Sequence, residues 1–522
     1  MKLLGLMAAG MVAALTLGAR AESPQARTLS LEDCIQIAIQ HNLDVQIVRT
    51  SPQIAEFTLS GSYGSYDPLF RLSGSHDYDL APGGFDDQGR FFVGTESETE
   101  SFGSGISGLL PWGLNYDVGV RAADRYGTFP GSLPDTRIPF EATSAQVGAL
   151  TLRQPLLKNF WIDSTRLQIF LNKQNLKISE LDVRLQIINT VSEVEAAYFD
   201  LIHAQESVKV QQQAMELAER LVAENRRRVE VGALAPLDSR QAESQAASSR
   251  ADLLQAQATR GTLERVLKAL LSDNYNEWAS VTIQPTDALL AIPQQFNLQD
   301  SWRTGLAMRP DLLQAKLNLE TRGYQVRYQK NQLYPQLDLV GSWGYTAGGA
   351  SREFSDAFGQ IGSADNPFYG VGASVTFPLG NTGARNSYKS AKVTKEQAEL
   401  QLKQLQQGTL IRIENAMAVA EASFQRVAAT REARLYSEAA LEAEQTKLEK
   451  GKSTSFVVLQ LQRDLTSARS AEIRALADYN IALARLAQNE GSTLERRLIT
   501  MQVTGAENAY APVVFPAPPA TR

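Results

Sequence analysis

The 522-residue chain has one cysteine, Cys34, and three histidines, His41, His76 and His203. A single thiol excludes an intrachain disulfide framework, and this Cys/His inventory excludes a Cys/His-rich structural zinc site. Cations are not in excess: 51 Lys and Arg face 57 Asp and Glu, so the basic footprint of a nucleic-acid binder is missing. No GxSxG, HExxH, Walker-type loop or CxxC occurs. No enzyme activity, cofactor or metal site is therefore expected. Seven methionines do not suggest a soft-metal relay. Beyond the N-terminus there is no apolar run of the ~20 residues that a membrane-crossing helix needs. If this chain spans a membrane, it must do so with strands.

The N-terminus reads as a secretory signal: Lys2, an apolar stretch from Leu3 to Leu17, and a small-x-small site at Ala19-Arg20-Ala21. Arg20 interrupts the run too early for a membrane anchor. No cysteine follows the site, so an N-terminal lipid is not indicated.

The remainder repeats itself. Pro68, in Tyr66-Asp67-Pro68-Leu69-Phe70-Arg71-Leu72, has its counterpart at Pro335, in Leu333-Tyr334-Pro335-Gln336-Leu337-Asp338-Leu339. The same offset carries Asn42-Leu43-Asp44 onto Arg309-Pro310-Asp311. Later, Gln154-Pro155-Leu156 is echoed by Phe377-Pro378-Leu379, and Glu230-Val231-Gly232 by Glu449-Lys450-Gly451. Each half reads as short helix, Pro, strands, Pro, long helix, Gly turn, helix.

The long helices declare themselves by period. Leu181, Leu185, Ile188, Val191, Val194, Tyr198 and Leu201 step by threes and fours, a narrow coiled-coil seam. The returning segment is rich in Ala (Ala242, Ala246, Ala247, Ala251, Ala258), which favours helix and close packing. Each Pro-to-Gly stretch, if mostly helical, is on the order of 100 Å long. Helices alone leave a fibrous coiled coil open. The strands argue against it: Leu337, Leu339, Gly341, Trp343 and Tyr345 alternate with Gln336, Asp338, Val340, Ser342 and Gly344, and Val371, Ala373, Val375 and Phe377 with Gly370, Gly372, Ser374 and Thr376. One apolar face and one polar or small face is the pattern of a membrane barrel strand, and Trp343 and Tyr345 suit an aromatic girdle.

This order of elements resembles the TolC-like outer-membrane efflux protein family. The carrying residues are Leu29-Ser30-Leu31-Glu32-Asp33-Cys34-Ile35-Gln36-Ile37-Ala38-Ile39-Gln40-His41-Asn42-Leu43-Asp44, similar to the family's opening helix, their echo Ala307-Met308-Arg309-Pro310-Asp311-Leu312, and the Gly232 and Gly451 turns before Ala-rich helices. The resemblance covers roughly residues 28 to 490. It implies a mixed α and β membrane protein with an internal tandem repeat. Long antiparallel coiled helices would form a trimeric α-barrel tunnel beneath a trimeric outer-membrane β-barrel, without cofactor. The implied partners are a periplasmic adaptor and an inner-membrane pump (RND, ABC or similar), with outer-membrane lipid around the barrel and no nucleic acid. Elementary physics also favours several copies: two or three hairpins cannot close a lumen, and open edges in lipid are prohibitive.

The sequence thus divides into a signal (1–21), a first repeat (22–271), an inter-repeat equatorial segment (272–298), a second repeat (299–491) and a partly disordered tail (492–522). Strands are expected near 67–80, 101–110, 114–122 and 142–154 in the first repeat, and near 335–346 and 367–378 in the second. Long helices are expected near 163–231, 236–271, 384–450 and 455–490. Pro285 and Pro293 break the inter-repeat segment around a strand-like 279–283, and Pro512, Pro516, Pro518 and Pro519 fall in the tail.

The site candidates are the tip turns. Gly232 can take positive φ and end the incoming helix, and Pro236 suits the first turn of the outgoing one. Gly451 with Ser453, Thr454 and Ser455 does the same in the second half, one hydroxyl serving as N-cap. Adaptor docking is the added role considered for these turns. The run Arg226-Arg227-Arg228, just before Gly232, reads either as an adaptor contact or as a complement to the helix dipole. By resemblance, the positions where some family members carry an acidic entrance ring fall on Val457 and Gln460, both uncharged. Asp238 matches the acidic member of a family tip salt bridge, but its Arg partner falls at Ser453. A first-turn role for Asp238 toward the helix dipole is the alternative. Pro68, Pro155, Pro335 and Pro378 mark the barrel–tunnel junction.

The halves disagree in one place. Pro68 to Pro155 is about twice as long as Pro335 to Pro378. The surplus holds an alternating pair of strands around Pro111-Trp112-Gly113, with long polar connections at 81–100 and 122–141. Outer-membrane barrels place long loops outside and short turns inside. Four strands from the first half and two from the second are expected, so a trimer would close eighteen, against twelve for a TolC-like trimer. The alternative places the extra hairpin as a cap or plug.

Overall fold

The structure, a computed structural model, describes residues 26–499 apart from 134–135, 233–234, 350–353 and 364. The expected signal, and the tail from residue 500 onward, lie outside the described residues. In chain order the elements are β1 (Ala26–Leu29), α1 (Leu31–His41), α2 (Leu43–Tyr63), β2 (Leu69–Leu80), β3 (Gly84–Phe85), β4 (Phe91–Phe92), β5 (Glu96–Leu109), β6 (Asn115–Pro130) and β7 (Arg137–Pro155). The helices α3 (Ser164–Glu230), α4 (Pro236–Leu271) and α5 (Tyr275–Ala279) follow, then β8 (Thr282–Pro285), α6 (Leu298–Met308) and α7 (Pro310–Asn331). The chain continues through β9 (Gln336–Gly349), α8 (Phe354–Ser363), β10 (Pro367–Thr376), α9 (Thr382–Glu449), α10 (Ser455–Glu490) and α11 (Thr493–Arg496). Among the described residues no helix is long and apolar enough to cross a membrane.

Two compact units emerge, and the division falls inside α3 and α9. The first takes residues up to Gln46, Gln186–Ser301 and Ile413–Asn489. Its helices bury the seam that the periodicity traced: Ile188, Val191, Val194, Tyr198 and Leu201 are almost fully buried. Small residues let α9 and α10 approach closely, Ala420 and Val427 meeting Ala475, Tyr479 and Ala482. Tyr198 ties three segments together. Its hydroxyl lies 2.7 Å from the Asp287 carboxylate and 3.0 Å from the Leu29 carbonyl, which share its one proton, and the same carboxylate accepts the Leu31 amide at 2.8 Å. Strand β1 pairs in parallel with β8. Ser30 and Asp33 form a capping box at the start of α1.

The second unit takes Ile47–Leu185, Trp302–Arg412 and residues from Glu490. Its centre is a six-stranded sheet in the order β10-β9-β7-β6-β5-β2, antiparallel throughout. The surplus hairpin β5–β6 is hydrogen-bonded between β2 and β7, so it is part of the sheet and not a cap above it.

Four details differ from the sequence reading. The strand-like stretch expected at 279–283 falls at Thr282–Pro285, as β8, because the chain up to Ala279 is taken up by α5. The expected connection 122–141 is mostly strand, because β6 runs to Pro130 and β7 begins at Arg137. Polar cross-strand pairs extend the ladder there: Arg125 donates to Ser97 at 3.0 Å and Tyr126 to Glu98 at 2.7 Å. The expected loop 81–100 holds the two-residue strands β3 and β4, and β5 already starts at Glu96. A helix not anticipated, α8, lies between β9 and β10, and its Ile361 packs on Ala122, Ala145 and Ala347 of the sheet.

Candidate functional site

At the tips, Gly232 and Gly451 both adopt positive φ, +75° and +69°, and a Cβ at either would meet open space. The turns therefore need glycine for backbone freedom rather than for room. At Gly451 the closing bonds form a Schellman pattern: the Gly451 amide donates to Leu448 and the Lys452 amide to Lys447. At Gly232 the amide donates to Val229 at 2.9 Å. Pro236 occupies the first turn of α4, with Asp238 in the same turn. Thr454 stands immediately before α10, and its carbonyl accepts the Val458 amide.

The two tips share a polar clasp that sequence spacing did not reveal. Asn225, in the last turns of α3 and 1% exposed, accepts a hydrogen bond from the buried Ser455 hydroxyl at 3.1 Å. The Asn225 amide group also donates to the Asp238 carbonyl at 3.4 Å. One side chain thus links the end of α3 to the beginnings of α4 and α10. Below it Leu221, Ala242, Leu448, Val458 and Leu459 form an apolar cluster.

Each tip also carries one well-bonded carboxylate. Glu243 receives Arg226 at 2.9 Å and Arg240 at 3.0 Å. Glu444 receives Lys447 and the Ser453 hydroxyl. Hydrogen bonds from these partners hold both carboxyls below the usual glutamate range. Ser453, at the position where the resemblance would place an arginine, is bonded to Glu444 of its own hairpin. Arg227 and Arg228 lie in the last turn of α3, where cations complement the dipole. Val457 and Gln460 are exposed on α10.

The sheet has two unlike faces. Phe70, Ile106, Val118, Leu150, Trp343 and Tyr369 lie opposite one another across all six strands and form a single apolar row. One residue along, Leu69, Ser107, Asp117, Thr151, Ser342 and Gly370 form the neighbouring row on the other face, small or polar at every strand but β2. Most of the apolar row is exposed, Tyr369 to 83%. Trp343 and Tyr345 meet edge-on at 5.4 Å.

Four prolines bracket one end of this sheet: Pro68 and Pro335 precede β2 and β9, Pro155 closes β7, and Pro378 follows β10. The corners beyond them are built from asparagines. Asn159 and Asn381 take positive φ, 64° and 43°. The side chain of Asn331 accepts the Asn159 amide at 2.7 Å and donates to the Leu157 carbonyl at 3.3 Å. Among the described residues no cluster of three or more metal-capable side chains forms.

An antiparallel sheet with an exposed apolar face and a small-residue face, carried by a chain of paired long helices, defines a helical-hairpin outer-membrane channel protein. Comparison with known proteins supports this class. The family model described as "Outer membrane efflux protein" matches residues 139–272 and 303–492, more than half of the chain. The chain is 25% identical over 346 residues to the outer membrane efflux protein BepC of Brucella suis biovar 1, covering 65% of this chain and 70% of BepC. It is 23% identical over 333 residues to the outer membrane protein TolC of Escherichia coli K12, covering 62% and 64%. A solved membrane protein from Pseudomonas aeruginosa shares its fold with a TM-score of 0.65 at 18% identity, over 90% of this chain and 91% of that one. The chain belongs to the outer membrane efflux protein family: it is a channel protein of the outer membrane that extends into the periplasm.

Proposed function

We propose that three copies of the chain form a passive export duct. The sheets would close a barrel in the outer membrane, and the paired long helices would form a tunnel across the periplasm. The observation that carries this reading is the unbroken apolar row across six strands beside a row of small and polar residues, the arrangement of a wall between lipid and water. No nucleotide-binding loop occurs in the sequence, so energy comes from a partner pump of the inner membrane, joined through a periplasmic adaptor. Drug efflux, metal efflux and type I protein secretion are all compatible with such a duct.

The tip turns, with Gly232, Pro236, Asp238, Gly451, Ser453, Thr454 and Ser455, are the proposed docking site. Val457 and Gln460 line the entrance without charge, so entry is governed by width more than by the sign of the substrate's charge. Opening requires the hairpins to part, and the Asn225 clasp is the contact that parting would break. Reconstitution into planar bilayers tests the reading. Confirmed trimers should conduct, and conduct more when the tip is loosened. Trimers that never conduct would instead support a non-conducting structural or adhesive coiled-coil protein.

A further inference from the structure

We propose that the two open edges of the six-stranded sheet, β2 and β10, are seams between copies, and that three copies close one eighteen-stranded wall. This rests on the trimeric duct proposed above and adds its strand count and its width. Barrel diameter grows roughly linearly with strand number, so the lumen is about half as wide again as that of a twelve-stranded barrel.

Among the described residues each edge strand has one neighbour, β5 for β2 and β9 for β10. All twelve residues of β2 are exposed, and those of β10 are exposed or half-exposed. An unpaired backbone row in hydrocarbon costs several kcal/mol per group. Strand β2 has no proline and no bulge to block a further strand: it pairs with β5 in unbroken register from Leu69 to Leu80, and its charges Arg71, Asp77 and Asp79 fall on the face opposite Phe70 and Leu72. The occupant of these edges is therefore another strand, and a second copy supplies one that fits. Six antiparallel strands leave β2 and β10 pointing opposite ways, so β10 of the next copy laid beside β2 continues the alternation. The faces also match: Phe70 and Leu72 on β2 share the apolar face with Tyr369 and Val371 on β10, while Ser73 and Ser75 share the other with Gly372 and Ser374. The hairpin β5–β6 sits inside this wall, hydrogen-bonded along both flanks.

Paired cysteines in the full-length protein, oxidised in the membrane, test both parts. The native Cys34 does not compete: it is fully buried, and burial, with Asp33 and Asp287 beside it, pushes its thiol up to about 12. The seam is scanned with Ser73→Cys combined in turn with Gly372→Cys, Ser374→Cys and Thr376→Cys. The hairpin is tested with Ser75→Cys/Ser101→Cys, whose native hydroxyls lie 2.8 Å apart. Ser342→Cys/Gly370→Cys, opposite each other on β9 and β10, sets the yield expected inside the sheet. We expect at least one seam register to give a covalent species of three chain masses, and the β2–β5 pair to oxidise as fully as the β9–β10 pair. Covalent trimers with the β2–β5 pair still reduced would overturn the eighteen-stranded wall and leave the trimeric duct standing. No seam product in any register, or one of another copy number, would overturn the trimeric closure itself.

Discussion

The two tip turns end alike and begin differently. Both incoming helices stop at a glycine of positive φ with open space around it. The outgoing helices start by separate means: α4 with Pro236 and Asp238, α10 with a buried Ser455 that donates to Asn225. Because the Ser455–Asn225 bond runs from the second hairpin to the first, the two hairpins are not independent at their ends. What distinguishes the tips is therefore how they depend on one another. Turn geometry repeats in both halves, whereas the contact between the turns runs through an asparagine of the first hairpin.

Substitutions can break this comparison. Gly451→Pro should have the largest effect, about 3 kcal/mol, because the ring imposes negative φ and removes the amide that donates to Leu448. Thermal unfolding reads the cost, and export should be lost while trimers still assemble. Asn225→Leu comes next at ~2 kcal/mol, since it leaves the buried Ser455 hydroxyl without its acceptor and removes the contact to the Asp238 carbonyl. Its signature is faster hydrogen exchange at both tips at once. Exchange that rises at one tip alone would show the hairpins to be uncoupled.

Gly232→Val should cost ~1–2 kcal/mol through strain at positive φ. The same valine at Gly451 should cost the same within a few tenths, if open space at both sites is the whole story. The smallest effect is on pH. Glu243 and Glu444 both have carboxyls held below the ordinary glutamate value of 4.5, so their support is fully present above that pH. It is lost as pH falls through their lowered values. Glu243→Gln and Glu444→Gln should each flatten the acid limb of tip exchange, to similar degrees.

Much of this was legible because punctuation is local. Gly232, Pro236 and Gly451 announce helix ends on their own, and the spacing of Leu185 to Leu201 announces a seam. The outer halves of β5 and β6 were not legible. Glu96, Glu98 and Glu100 alternate with Ser97 and Thr99, so both faces are polar and the stretch reads as loop until Arg125 and Tyr126 are seen to pair with it. Asn225 was invisible for another reason: its partners are distant in sequence, and a lone asparagine on a helix signals nothing by its spacing. Asn159 and Asn381 did carry a signal, each following a strand-ending proline by a few residues, because asparagine tolerates positive φ.

Strands β6 and β7 are 16 and 19 residues long. About 9–11 residues suffice to cross an outer membrane. The surplus lies at the end away from the four prolines. If the sheets close as proposed, the ladder of paired strands would continue beyond the bilayer on its outer side, and an antibody that binds this ladder would have to read neighbouring strands together rather than one linear peptide.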